Sequence, residues 1–282
     1  MGAVDLYQEI VELRKTGGCG ALATIIRHLG STPRKDHAKM LIREDGSSFG
    51  SIGGGCVEAE VWTKAQGVIR TGSAALVTYT MNEEDAENEG LICGGTVEIF
   101  IEPVLSDPQL IIMGAGHLGQ AIARLAHSLD FQIVVLDDRE SFASRDRFPD
   151  ADSLIVDAFD RGLSQLEITK NSYVLIVTRG HRHDQLATEN ALRTCARYIG
   201  LVGSRRKIKI IVEQLLEKGL PPESFQRLYA PIGLDIGSET PEEIAVSVMA
   251  ELIAVRRNRH QRSEKQQFVL GLLDSLGGEG QT

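Results

Sequence analysis

Gly114-Ala115-Gly116-His117-Leu118-Gly119 follows the apolar run Leu110-Ile111-Ile112-Met113 directly and leads into a helical pattern. A strand, a G-x-G-x-x-G turn and a helix in that order mark a parallel βαβ unit. The glycines allow a tight turn and close backbone approach to a phosphate, which then sits at the positive helix end. Asp137 closes the next apolar run, 21 residues after Gly116, where an acid can accept hydrogen bonds from ribose hydroxyls. Short apolar runs ending near Val156, Thr178 and Gly203 continue the pattern, with helical stretches such as 117–129 and 184–196 between most of them. The alternation predicts a doubly wound Rossmann-like domain with a parallel sheet, over 109–258.

The residues before this domain read differently. Leu6, Ile10 and Leu13 are spaced for a helix that Gly17-Gly18 stops, and a second helix is expected over 57–69, ended by Gly72. The β-like runs 21–28, 39–45, 75–81 and 96–104, with a turn at Asp45-Gly46, do not alternate strictly with these helices. A small N-terminal α+β domain over 1–103 is therefore expected, giving an α/β chain of two domains. Residues 259–282 read as a basic, flexible C-terminal tail.

Composition excludes several function classes. A net charge of −9 argues against non-specific nucleic-acid or membrane-surface binding, which needs a basic face. No apolar run approaches the roughly 18 residues of a spanning helix, and the first residues lack a signal-peptide pattern. Four cysteines without a C-x-x-C pair suit a reduced, cytoplasmic protein. Gly46-Ser47-Ser48-Phe49-Gly50 matches G-x-S-x-G, but it follows a hairpin turn where a nucleophile elbow needs a buried strand and a following helix.

Strand ends carry the remaining candidates. Arg179, His181, His183 and Asp184 follow one apolar run, and Ser204, Arg205 and Arg206 follow the next. Ser204 suits an N-cap; cations in the first turn oppose the helix dipole unless an anion lies between them and the helix end, and Arg205 and Arg206 read either as such an anion contact or as side chains that point to solvent or pair with acids. His181, His183 and Asp184 read as polar loop contacts or, less simply, as metal ligands. Asp235 lies in a second glycine-rich loop, Pro231–Gly237, ahead of a capping box at Thr240-Pro241-Glu242-Glu243. In the first domain Gly53-Gly54-Gly55 precedes Cys56 at a helix start, where the dipole favours a thiolate, and Cys93 is followed by Gly94-Gly95. Both cysteines read equally as buried thiols or as reactive ones. Arg34 is surface charge or an anion contact.

Together these segments resemble the XdhC/CoxI family, accessory factors for maturation of molybdenum hydroxylases such as xanthine dehydrogenase. The resemblance spans nearly the whole chain. It rests on Gly30-Ser31-Thr32-Pro33-Arg34, Ser51–Glu58 and Cys93-Gly94-Gly95 in the first domain. In the second it rests on Gly116–Gly119, Asp137-Asp138-Arg139, Arg147-Phe148-Pro149, Thr178–His181 with His183-Asp184, Gly203–Lys207 and Pro231–Ala245. One departure is visible: Lys35-Asp36-His37-Ala38 is bulkier than the small, glycine-containing stretch the family pattern has there.

The resemblance implies a protein that binds the molybdenum cofactor, a molybdopterin, and protects it. Such a protein assists its sulfuration by a partner cysteine desulfurase and delivers it to the apo-hydroxylase. The cofactor-binding candidates are then Gly114, Gly116, His117, Gly119, Asp137, Arg179, His181, His183, Asp184, Ser204, Arg205, Arg206 and Asp235, with Arg34, Gly54 and Gly55. Cys56 and Cys93 are the soft ligands that could approach molybdenum or the sulfur under transfer. No catalytic residue is assigned, and a homodimer is an expectation of the same kind. Two other readings stay open: an NAD(P)-dependent oxidoreductase and a nucleotide-sensing scaffold. No Tyr-x-x-x-Lys pair exists to supply one common dehydrogenase chemistry.

Overall fold

Asp5 starts the first helix: its side chain accepts a hydrogen bond from the Tyr7 amide at 3.2 Å, and α1 runs Leu6–Lys15. The structure, a computed structural model, describes residues 5–30, 37–80, 95–257 and 264–277. Leu6, Ile10 and Leu13 of α1 pack with Phe49 over the buried Leu22, Leu41 and Val104. The strands β1 (Gly20–Gly30), β2 (Lys39–Arg43) and β3 (Ser48–Gly50) follow, the last two joined by a turn at Gly46, whose φ is +88°. Next come α2 (Gly55–Thr71), ended by Gly72 in the left-handed region, then β4 (Ala75–Thr80) and β5 (Gly95–Val104). The strands form one antiparallel sheet in the order β3-β2-β1-β5-β4. Val61, Ala65 and Val68 of α2 pack on Ala21, Ala23, Ile25, Ile99 and Ile101.

The chain divides into two units, residues 1–106 and 107–282. In the second, β6 (Gln109–Met113), α3 (His117–His127), β7 (Gln132–Asp137), β8 (Ser153–Val156), α4 (Phe159–Ser164), β9 (Ser172–Ile176) and α5 (His181–Leu192) are followed by β10 (Tyr198–Leu201) and α6 (Arg205–Glu217). A 3-10 turn at Pro222–Arg227, the two-residue β11 (Leu228–Tyr229), α7 (Pro241–Arg256) and α8 (Glu264–Gly277) complete it. The parallel sheet has the order β11-β10-β9-β6-β7-β8, so direction of growth reverses between β6 and β9. That reversal is the topological switch point at which doubly wound sheets open a crevice for ligands.

Period-two alternation on fully buried strands explains the layers. Leu110 and Ile112 face a core that includes Ile122 and Ala126 of α3 and Val248 and Leu252 of α7. Ile111 and Met113 face the other, with Ala187 of α5 and Ile208 and Val212 of α6. The sixth strand, β11, is too short to leave an apolar run and lies outside the pattern the sequence predicts. The stretch expected as a tail carries α8, whose Val269 is fully buried in the second of these cores. Its basic residues precede the apolar positions that seat it.

Sequence patterning does not reveal one polar contact inside this core. Glu251 of α7 is fully buried; its carboxylate accepts from the Tyr198 hydroxyl and from the Gly233 amide, the latter at 3.3 Å. Tyr198 stacks on Tyr229 with ring centroids 4.4 Å apart, and burial together with the Glu251 charge pushes its hydroxyl well above the usual phenol range. Glu251→Ala strands a buried hydroxyl and a buried amide, so a loss of about 3 kcal/mol is expected. Urea unfolding measures it; an unchanged midpoint contradicts the assignment.

Candidate functional site

The three fingerprint glycines have separate reasons. Gly114 has φ +121°, and a Cβ there would meet the Val177 carbonyl at 2.4 Å; a Cβ at Gly119 would meet the Gly114 carbonyl at 2.2 Å. These two let β6, β9 and α3 approach each other. Gly116 is different: a Cβ there would meet nothing within 4 Å, and Gly116 caps α3 without any side-chain hydrogen bond. His117, the first residue of α3, is exposed. The turn thus keeps an open approach to the α3 N-terminus at the switch point.

Asp137 does not stand ready for a ribose. It is 1% exposed, and its Oδ2 accepts from the Ala115 amide at 2.8 Å and from Arg139 Nη2 at 2.9 Å. Its Oδ1 accepts from Arg139 Nε at 2.8 Å and from the Arg139 amide at 3.0 Å. The sequence places Asp137 correctly at the strand end; it does not reveal that Arg139, two residues on, folds back to claim the carboxylate. Arg139 also lies within 3.9 Å of Asp138, whose carboxylate pairs with Arg179 at 2.9 Å. A charge chain Asp137–Arg139–Asp138–Arg179 therefore joins the ends of β7 and β9. Arg139 and Arg147 lie over the Phe142 ring at 3.5 and 5.0 Å, and Arg147 Nη2 donates to the Ala115 carbonyl at 3.2 Å.

Beyond β9, His181 is exposed at the first position of α5 behind Gly180, another uncapped glycine with open space around it. His183 turns to Phe159, edge to face at 5.5 Å. Asp184 is fully buried, accepts from Thr178 Oγ1 at 2.7 Å and is ion-paired with Lys207. These contacts make Asp184 a brace between β9, α5 and α6. Among the described residues no group of three or more His, Cys, Asp or Glu could hold a metal ion.

Ser204 is the N-cap of α6, accepting from the Lys207 amide. Arg205 and Arg206 are exposed in the first turn as predicted by the cap, and Arg205 lies over the Phe268 ring of α8 at 5.7 Å. Asp235 is exposed on a loop whose base is fixed by Glu251 on Gly233 and by Ser247, whose hydroxyl donates to the Leu234 carbonyl at 2.6 Å.

In the first unit the triple glycine is already engaged. Gly53, Gly54 and Gly55 have φ of +138°, +86° and +69°, which only glycine adopts without strain. This conformation turns successive amides inward onto Glu58. Its Oε1 accepts from Gly54 at 2.9 Å, Ile52 at 3.1 Å, Gly53 at 3.3 Å and the Ser51 hydroxyl at 2.6 Å. Burial raises the Glu58 carboxyl, but these donors outweigh it and hold it below the usual carboxylate range. The Gly54 amide, an expected ligand contact, is therefore taken by the protein's own carboxylate. Gly55 starts α2, and the Cys56 backbone is its second residue. Cys93 and Arg34 lie outside the described residues. His37 has φ +72°, a conformation natural to glycine.

Comparison with known proteins gives these features a lineage. Residues 110–252 match the model described as the XdhC Rossmann domain, and residues 13–80 match the XdhC and CoxI family. The protein YqeB of Escherichia coli is 36% identical over 256 residues, covering 90% of this chain and 47% of YqeB. The chain thus spans about half the length of that relative. The molybdenum cofactor insertion chaperone PaoD of Escherichia coli is 22% identical, with 90% of this chain and 88% of PaoD covered. A crystal structure described as a xanthine dehydrogenase from Bacillus halodurans aligns with a TM-score of 0.50 at 27% identity, over 93% of this chain and 98% of that one.

Two outcomes follow from the geometry. Burial raises the Asp137 carboxyl, but hydrogen bonds from the Arg139 side chain and the Ala115 and Arg139 amides hold it below the usual range. Its contribution is thus present above the unfolded carboxylate value and is lost as pH falls through the folded one. Asp137→Asn is expected to cost about 3 kcal/mol at neutral pH and to flatten the stability profile below about pH 4, read by urea unfolding across pH. Glu58→Ala is expected to speed hydrogen exchange at the Gly53 and Gly54 amides and to cost about 1–3 kcal/mol, with Glu58→Gln recovering part; unchanged exchange contradicts the capping role. The matched models, the parallel sheet with its glycine turn and the Ser51–Glu58 loop agree: the chain belongs to the XdhC/CoxI family.

Proposed function

We propose that this chain is an accessory factor that binds the molybdenum cofactor as cargo, supports its sulfuration by a cysteine desulfurase and delivers it to a molybdenum hydroxylase such as a xanthine dehydrogenase. The observation that carries the reading is the family membership, together with the relation over most of both chains to PaoD, an insertion chaperone for that cofactor. The Bacillus halodurans neighbour, described as a xanthine dehydrogenase, supports the choice of partner class.

The second unit suits the anionic end of such a cargo. The α3 N-terminus is open in front of Gly116, and the connections that follow β7 and β9 carry Arg139, Arg147 and Arg179. In the first unit, Glu58 holds the turn that begins the helix bearing Cys56, and a thiolate there or at Cys93 is the soft group suited to molybdenum or sulfur. Burial of Asp137 under Arg139 removes the usual ribose acceptor, which weighs against an NAD(P)-dependent oxidoreductase.

Metal and pterin analysis of the full chain, purified from cells making the cofactor, tests the reading. Close to one molybdenum and one pterin per chain is expected. Cys56→Ser and Cys93→Ser are each expected to lower the retained molybdenum several-fold. Full retention in both variants removes the thiolates from the account, and a metal-free, pterin-free wild type removes the cargo.

A further inference from the structure

Helix α7 has two faces, and the fold accounts for one of them. Ala245, Val248, Met249, Leu252 and Val255 pack into the core that α7 shares with α3. A face that meets only water is expected to be polar. The neighbouring helices obey: α3 exposes Arg124 and His127, and α6 exposes Arg205, Arg206, Lys209 and Glu217. The outer face of α7 does not. From Ile244 to Val255 the only charged residue is Glu251, and Glu251 is fully buried. Val246 and Ile253 stand 51% and 40% exposed, with Ala250 and Ala254 half-buried beside them. The outward residues Glu243, Val246, Ala250, Ile253 and Arg257 follow one another at steps of three, four, three and four. That is the spacing by which one helix offers a continuous seam to another.

Charges at the two ends of the seam say what covers it. Glu242 and Glu243 lie in the first turn of α7, Arg256 lies in its last turn, and Arg257 caps it. Glu243 is committed to the capping box, and Arg256 donates to the Leu129 carbonyl. Glu242 and Arg257 are the exposed charges that remain, one at each end, and Glu242 comes only within 4.0 Å of Arg124. A second copy of the helix laid antiparallel brings Glu242 of each copy toward Arg257 of the other and opposes the two helix dipoles. It also gathers the Val246 and Ile253 side chains around Ala250, whose small side chain lets the backbones approach. Laid parallel, the same helices would bring acid to acid and base to base. The antiparallel pairing looks the same from either copy, as a two-fold axis requires. We propose that the outer face of α7 is a homodimer interface, in which two copies of the helix cross antiparallel near Ala250. Nothing in this interface depends on the cargo.

Sedimentation velocity of the full chain, from about 1 to about 100 µM, reads the equilibrium. One helix against one helix is at the small end of specific interfaces, so a monomer–dimer equilibrium with a micromolar dissociation constant is expected. Ile253→Lys puts a charge into the seam and is expected to weaken the dimer at least about tenfold. Its melting temperature is expected to stay within about 3 °C of the wild type, because the side chain is on the surface. Val246→Lys, two turns away, is expected to match it. Arg257→Glu is expected to weaken the dimer about three- to tenfold, and Glu242→Arg combined with Arg257→Glu to bring it back to within about threefold of the wild type. The exchanged charges again meet opposite ones across an antiparallel seam. A chain that stays monomeric throughout leaves the face to a different protein and overturns the proposal. A dimer that both lysine variants leave intact places the interface on another surface and overturns it too. A double variant no tighter than Arg257→Glu alone overturns the antiparallel pairing.

Discussion

The carboxylate of Asp137 is the contact on which the candidate site of the second unit depends. It fixes the glycine turn through the Ala115 amide, and it fixes Arg139 through two side-chain hydrogen bonds. Arg139 in turn reaches Asp138 and lies on Phe142. A buried carboxylate is tolerated only when its acceptors are filled, so the same requirement that makes this core stable organises the end of β7. In a dinucleotide-binding domain the acid at this place works for the ligand; here it works for the fold.

The first unit uses the same device. Glu58 supplies the negative charge toward which the amides of Ile52, Gly53 and Gly54 converge, so the glycine-rich turn that holds the candidates Gly54 and Gly55 is closed by a residue of its own helix. Gly55, the first residue of α2, is exposed, and Cys56 follows it in the backbone. Both units thus prepare a helix N-terminus with an internal carboxylate.

Much of the fold was legible in the sequence because it follows from periodicity. The alternation from Leu110 to Met113 assigns both faces of the parallel sheet, and Gly72, Ser204 and the Thr240–Glu243 box mark helix ends by local chemistry. The two-residue β11 and the packing of α8 were not legible, since neither leaves a sustained pattern. For the site, position was legible and partner was not. Asp137, Asp184 and Gly54 stand where the motifs put them, but their side-chain or amide partners, Arg139, Lys207 and Glu58, are chosen by three-dimensional packing. Glu251 left no signal beyond an acid on an otherwise apolar helix face, a pattern that a buried hydrogen-bonded carboxylate shares with an exposed one.

The central claim is that the chain carries the molybdenum cofactor and hands it on. The most direct measurement is the activity that an apo-molybdenum hydroxylase gains when mixed with the cofactor-loaded chain, compared with the same amount of cofactor free in solution. The account predicts faster and more complete activation from the loaded chain, with molybdenum leaving it as activity rises. Activation no better than that by free cofactor, with the metal still held by the chain, would contradict it.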